Sequence, residues 1–265
     1  MARRIGMLDA VIDAVKEVAK HEIIPRYLKV QGHYKSDGSL CTGADIAAQE
    51  ALIGKLQEIY PGKIVSEEMS VAQNNDQWSS GDGGLWCIDP IDGTRSFIQG
   101  LPLFASLMCL LHKGEPVLGI IELPALKETA WAVKGKGAFL NGKPLNVSKQ
   151  KKLQGAFIAV SDGYCFREQK QTFLLNKLNK EAGIVRTYPD AFGHLMAIRG
   201  SVDVMVDPLA KIWDYAPCKI LAQEAGGKFA NFSGSQSSIE QGTAIVGNAS
   251  IVKEVRKLFA ESKPK

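Results

Sequence analysis

Apolar residues recur at Leu8, Val11, Ile12, Val15, Val18 and Ala19 with polar residues between them. That spacing predicts an amphipathic helix over Met7–Ile24, ended by Pro25. A turn at Lys35–Ser39 precedes a second helical pattern through Ile46, Ala47, Leu52, Ile53 and Leu56. Thr42 and Asp45 stand at its start as candidate caps. Lys63–Ser66 reads as a short strand that delivers Glu67 and Glu68 at its end. Neighbours on a strand point to opposite faces, so one glutamate faces inward, and Glu67 is the expected one. Val71–Gly84 is polar and glycine-rich and predicts a mobile loop. The apolar run Leu85–Ile88 predicts a buried strand. Leu103–Leu111 and Pro116–Leu123 predict two more strands, joined at His112–Glu115. Thr129–Val133 and Ala138–Leu140 follow, and Asn141-Gly142 is a type I′ hairpin signal.

The pattern changes at the polar stretch Lys149–Leu153, which divides the chain into two expected lobes, 1–148 and 149–265. Beyond it, strands are predicted at Ala156–Ser161, Ile184–Tyr188, Val202–Val206 and Thr243–Val246. Helices are predicted at Glu168–Ala182, Ala191–Arg199 and Ser250–Phe259. A further helix runs to Ala225 and ends at Gly226-Gly227, with Asp214 at or near its N-cap and Pro217 in its first turn.

With 265 residues, 45% of them hydrophobic, the chain can bury a large core. The formal charge of +4 is modest, and no basic run has interleaved aromatics, so no nucleic-acid partner is expected. Five cysteines at irregular spacing, without a CxxC pair, point to reduced thiols in a cytoplasm. No apolar run approaches a membrane span, and no signal peptide is expected at the N-terminus.

The chemistry concentrates in Leu85–Pro102, LWCIDPIDGTRSFIQGLP. Asp89 sits where the strand would surface. Pro90 to Thr94 then predict a tight turn, with Thr94 as N-cap of a short helix over Arg95–Gln99 stopped by Gly100. Two carboxylates this close repel unless a cation lies between them. Oxygen-only ligands suit Mg²⁺ or Mn²⁺ better than zinc. Free N–H groups around Gly93 and Thr94 would hold a phosphate. An acidic surface turn with a capping threonine is the plainer alternative.

Taken together, Glu67 at a strand end, Asp89-Pro-Ile-Asp92-Gly-Thr94, and Trp213-Asp214 ahead of an Ala-Gly-Gly helix end resemble the inositol monophosphatase family. The resemblance runs from Lys35 to about Gly227. It implies a layered αβαβα sandwich of the inositol monophosphatase/fructose-1,6-bisphosphatase type, usually a homodimer. It implies that Glu67, Asp89, the Ile91 carbonyl, Asp92 and Asp214 hold up to three Mg²⁺, with Mn²⁺ as an alternative ion. Thr94, with Asp45 behind it, would orient and deprotonate the attacking water, and the Gly93 and Thr94 amides would bind phosphate. Asp207 stands where the family usually has a substrate-contacting glutamate, and Asp190 is a candidate for binding a polar or cationic substrate tail. Ser96-Phe97-Ile98, Gly100-x-Pro102-Leu103-Phe104 and Ile121-Glu-Leu-Pro124 look more like the histidinol-phosphate phosphatase branch. The expected activity is therefore Mg²⁺-dependent hydrolysis of a small phosphate monoester. Histidinol phosphate leads and inositol 1-phosphate follows, and a non-catalytic metal or phosphate-ester binding protein is the rival from another class.

Overall fold

A computed structural model of the chain describes residues 2–36, 38–78, 84–232 and 242–262. Two short strands, β1 (His33–Tyr34) and β2 (Leu40–Cys41), form a small antiparallel pair. The large sheet has the order β3-β4-β5-β6-β7-β8-β9. Its strands are β3 (Lys63–Ser66), β4 (Gly84–Asp92), β5 (Ala105–His112), β6 (Glu115–Leu123), β7 (Glu128–Val133), β8 (Ala138–Leu140) and β9 (Lys143–Pro144). Only β3 and β4 are parallel; the rest is an antiparallel meander. The second sheet is built from β10 (Phe157–Val160), β11 (Ile184–Thr187), β12 (Val204–Asp207), β13 (Lys228–Ala230) and β14 (Ala244–Gly247), in the order β11-β10-β12-β14-β13.

The helices are α1 (Ala2–Val18), α2 (Gly43–Ile59), α3 (Val71–Trp78), α4 (Thr94–Gln99), α5 (Gly163–Glu168), α6 (Thr172–Glu181), α7 (Asp190–Ile198), α8 (Ile212–Glu224) and α9 (Ala249–Ser262). Helices α1 and α2 bury Val11, Val15, Leu52 and Leu56 against Trp86, Met108 and Ile120 on one face of the large sheet. Helices α7 and α8 fill the space between the sheets, where Leu195 and Leu221 meet Leu107, Cys109, Ile121 and Met205. Helices α5, α6 and α9 cover the outer face of the small sheet through Phe166, Leu178 and Val255. These are the five layers of an αβαβα sandwich. Both faces of β5 are buried: Leu107, Cys109 and Leu111 point one way, and Met108 and Leu110 the other. Two covered faces explain why the strand reads as an unbroken apolar run. No helix among the described residues is long and apolar enough to cross a membrane.

The structure departs from the sequence pattern in several places. Val71–Trp78 is helical rather than a mobile loop, and the remainder of that stretch, 79–83, lies outside the described residues. Asn74 explains the helix, since its side chain pairs with Ser66 N and Ser66 O, both at 2.9 Å. The helix expected over Glu168–Ala182 starts only at Thr172, as α6; Glu168 instead ends α5, a separate helix, and Lys170 between them takes a positive φ of 56°. The first helix does not run regularly to Ile24; it widens into a π turn at Ala19–Ile23 and then tightens into a 3₁₀ turn at Ile24–Arg26. Pro217 lies inside α8 rather than in its first turn, because that helix starts at Ile212. At Asn141-Gly142 both residues have positive φ, 47° and 79°, as the I′ turn requires.

Candidate metal centre and active site

Strand β4 does not end at Ile88 but runs on to Asp92. Its ladder with β5 is regular down to Asp89 opposite Leu107, then shifts and resumes with Asp92 opposite Ala105. Residues three apart on a regular strand face opposite ways. Here their partners are only two apart, so Pro90-Ile91 is a bulge and both aspartates face the same side. Pro90 brings no N–H to the interrupted ladder, and its carbonyl accepts from Ser106 Oγ at 2.7 Å. The register Ser66 opposite Ile88 places Glu67 beside Asp89, with Glu67 N donating to Ile88 O at 3.2 Å.

Asp214 arrives from the other half of the chain. It is the third residue of α8, and its Oδ2 accepts from Lys211 N at 2.6 Å. One carboxylate oxygen each of Asp89, Asp92 and Asp214 lies within 4.8 Å of the others. Asp92 Oδ2 is fixed by Ala191 N at 2.6 Å, while Asp89 Oδ1 is buried with no hydrogen-bond partner. Burial first, and the neighbouring carboxylates second, push all three well above the ordinary aspartate value. Glu67 is raised to about 7, mainly by burial. A buried set of this kind is self-repelling as it stands. Its donors are all carboxylate oxygens, one of them unpartnered, which is the ligand chemistry of a hard divalent cation.

Beside the carboxylates, Gly93 takes φ 79° and caps α4 in place of Thr94. A Cβ at Gly93 would sit 2.9 Å from Leu103 O, so both the conformation and the space ask for glycine. Thr94 is the first helical residue instead. Its hydroxyl lies 3.0 Å from Ile91 O and 3.2 Å from Asp45 Oδ1, and can donate to one of them at a time. Asp45 is fully buried on α2, and its other oxygen accepts from Thr42 N at 2.8 Å. Thr42 and Asp45 both cap α2, in a reciprocal box, so Asp45 anchors the helix and faces Thr94 at once.

Of the two glutamates, Glu68 is the more enclosed, with its side chain 2% exposed against 23% for Glu67. Glu67 nevertheless is the one that lines the cleft, as expected, while Glu68 is enclosed against Lys35 outside that lining, because β3 ends at Ser66 and strand alternation ends with it. Lys35 Nζ reaches both, at 2.9 Å from Glu68 Oε1 and 3.7 Å from Glu67 Oε1. Asp190 opens α7 with a positive φ of 58°, and its Oδ2 lies close to Gly93. Burial, then Asp207 and Asp162, raise it to about 7. Glu67, Asp89, Asp92, Gly93, Thr94, Asp190 and Asp214 line one cleft of about 410 Å³. Ile91 is buried behind it, and Asp207 stands back from the wall, 3.5 Å from His194 Nε2. Sequence reading missed Arg95 and Asp162 at this cleft, and Lys35 beside Glu67. Asp162 carried one signal, a carboxylate between a strand and Gly163 that caps α5 through Cys165 N at 2.9 Å.

A model of the inositol monophosphatase family matches residues 6–262. The histidinol-phosphatase of Chlorobaculum parvum is 34% identical over 217 residues, covering 81% of this chain and 82% of that protein. The Nus factor SuhB of Pseudomonas aeruginosa is 34% identical over 222 residues, covering 80% and 79%. Among solved structures, an inositol monophosphatase of Thermotoga maritima superposes with a TM-score of 0.84 at 30% identity, covering 96% of this chain and 97% of that one.

Proposed function

The chain belongs to the inositol monophosphatase family, and from that membership we propose that it is a Mg²⁺-dependent phosphatase acting on histidinol phosphate, releasing histidinol and inorganic phosphate. The observation that carries the metal-dependent reading is the buried meeting of Asp89, Asp92 and Asp214 within 4.8 Å. These three, with Glu67 and the Ile91 carbonyl, would hold up to three Mg²⁺, with Mn²⁺ as an alternative ion. When bound, the ions supply charge neutralisation of the phosphate and acidity to water.

The remaining work falls to the protein's own groups. The Gly93 and Thr94 amides, at the start of α4, lack intrahelical partners and are proposed to hold the phosphate. Thr94 Oγ1 is placed to accept a hydrogen bond from the attacking water while donating to Asp45 at 3.2 Å. Asp45, held by Thr42, keeps that hydroxyl oriented and is the proposed proton acceptor behind it. Nothing more is asked of the protein than position and charge, so no serine or cysteine nucleophile is required. Asp190 and Asp207 are proposed to face the organic half of the substrate, where paired carboxylates favour a cationic amine. A cytoplasmic location and a homodimer belong to the same proposal; the five cysteines are all free thiols.

Inositol 1-phosphate is the second reading, supported by the likeness to the Thermotoga inositol monophosphatase. Phosphate release from histidinol phosphate, inositol 1-phosphate and adenosine 3′,5′-bisphosphate decides between them. Mg²⁺-dependent, EDTA-abolished release that is fastest from histidinol phosphate is expected. A higher kcat/KM for inositol 1-phosphate would transfer the assignment to it. Silence toward every ester with Mg²⁺ bound would leave a binding protein.

A further inference from the structure

The small sheet changes direction at β10. From β10 the chain crosses through α5 and α6 to β11 on one side, then through α7 to β12 on the other, and both neighbours run parallel to β10. Such a switch point leaves a crevice at the carboxyl ends of the strands, where open α/β sheets bind ligands. Each of the three strands ends here in a carboxylate. Asp162 follows β10, Asp190 follows β11, and Asp207 closes β12. Asp162 and Asp190 line the cleft, and Asp207 and Asp162 both act on Asp190. Behind them, His194 is 1% exposed, neither of its ring nitrogens has a hydrogen-bond partner, and Nε2 points at Asp207 Oδ2 from 3.5 Å. Arg95, exposed on α4, is a cation that acts on Asp190 from across the cleft.

We propose that Asp162 is a specificity-determining residue. Together with Asp190, and backed by the charge of Asp207 behind them, it forms an anionic wall that selects phosphate monoesters whose alcohol carries a protonated amine, and disfavours neutral polyol phosphates. The inference rests on the phosphatase reading above and sharpens its substrate. Asp190 Oδ2 lies close to Gly93, and Asp162 lines the same cleft, so an ester held at the Gly93–Thr94 seat has its alcohol within the field of both. Asp162 is the member that can be tested cleanly. Its backbone role is to cap α5 through Oδ1, and asparagine caps as well as aspartate. Asp162→Asn therefore removes the charge and keeps the helix start.

The experiment measures kcat and KM of wild type and Asp162→Asn with Mg²⁺ on histidinol phosphate and inositol 1-phosphate, at two salt concentrations. For Asp162→Asn we expect KM for histidinol phosphate to rise about fivefold, with kcat held and its salt dependence reduced. KM for inositol 1-phosphate should stay level or fall, and Asp162→Glu should restore most of the preference. Equal changes on both esters, or no change on histidinol phosphate while wild type prefers it, would overturn the role of Asp162 and leave the substrate assignment standing. A wild type that shows no preference for the amine-bearing ester would remove both the wall and the choice of substrate, leaving the phosphatase. Failure to release phosphate from either ester would remove the enzyme reading itself.

Discussion

Asp92 takes the amide of Ala191 and Asp214 that of Lys211, each at 2.6 Å, whereas Asp89 Oδ1 meets no donor. The three are thus unequal when no cation is present. Asp89 relies most on a bound ion, since no backbone donor reaches its Oδ1 and its side-chain partner, Glu67, is itself a carboxylate. Asp89→Asn should raise the Tm of the EDTA-treated protein by about 2–4 °C, by relieving like-charge repulsion. The same variant should lose most of the Tm gain that Mg²⁺ gives wild type; a full Mg²⁺ response in calorimetry would place the cation elsewhere. Asp92→Asn keeps an acceptor for Ala191 N but removes a charge. It should lower phosphate release by about 100-fold or more with an unchanged circular dichroism spectrum. Comparable rates for wild type and Asp92→Asn would contradict the metal reading.

Helix α8 brings Asp214 to the centre, and its placement depends on contacts far from the site. Gly119 on β6 lets it approach: a Cβ there would stand 2.6 Å from Ile220 Cγ2 and 3.0 Å from Pro217 O. At the other end, Glu224 accepts from Gly135 N and Gly137 N, both at 2.8 Å, and ties α8 to the β7–β8 turn. Gly119→Ala should destabilise the fold by about 1–3 kcal/mol in urea titration, because Pro217 O is backbone and cannot swing away. It should also cost activity by shifting Asp214. A variant with wild-type midpoint and rate would show that α8 has slack against the large sheet. The Lys134–Gly137 run, which could pass for a phosphate loop, is this anchoring turn.

Across the whole molecule, acidic groups from both halves of the chain meet in one cleft, and this couples folding to protons and cations. Glu67 and Asp190 rise to about 7, and Asp89, Asp92 and Asp214 rise well above their ordinary value. A carboxyl with a higher pKa folded than unfolded binds extra protons in the native state. Its contribution is present below the unfolded value of about 4 and is lost as pH climbs through the folded one. In EDTA, Tm should therefore fall between pH 5 and pH 8. With saturating Mg²⁺ the fall should flatten, since an ion that binds only the folded state stabilises it by mass action. A pH profile in EDTA that is flat or rises over that range would mean that the carboxylates are not buried together in solution.

Much of the fold was legible because its physics is local. The 3.6-residue spacing in α1 and α2, the apolar runs of β5 and β6, and Asn141-Gly142 each specify their own conformation. The acidic residues of the centre were also legible, since Asp89-Pro-Ile-Asp92-Gly-Thr94 keeps most of the chemistry on one short stretch. Only the tertiary structure decided the rest. The β4 bulge that turns Asp89 and Asp92 the same way exists because β5 fixes the register. Likewise, Asp162 joins Asp190 only because β10 pairs with β11 across twenty-odd residues of intervening chain. Periodicity along the chain records which residues are apolar and how they repeat. It does not record which distant backbone a strand will pair with, and that pairing sets where each carboxylate points.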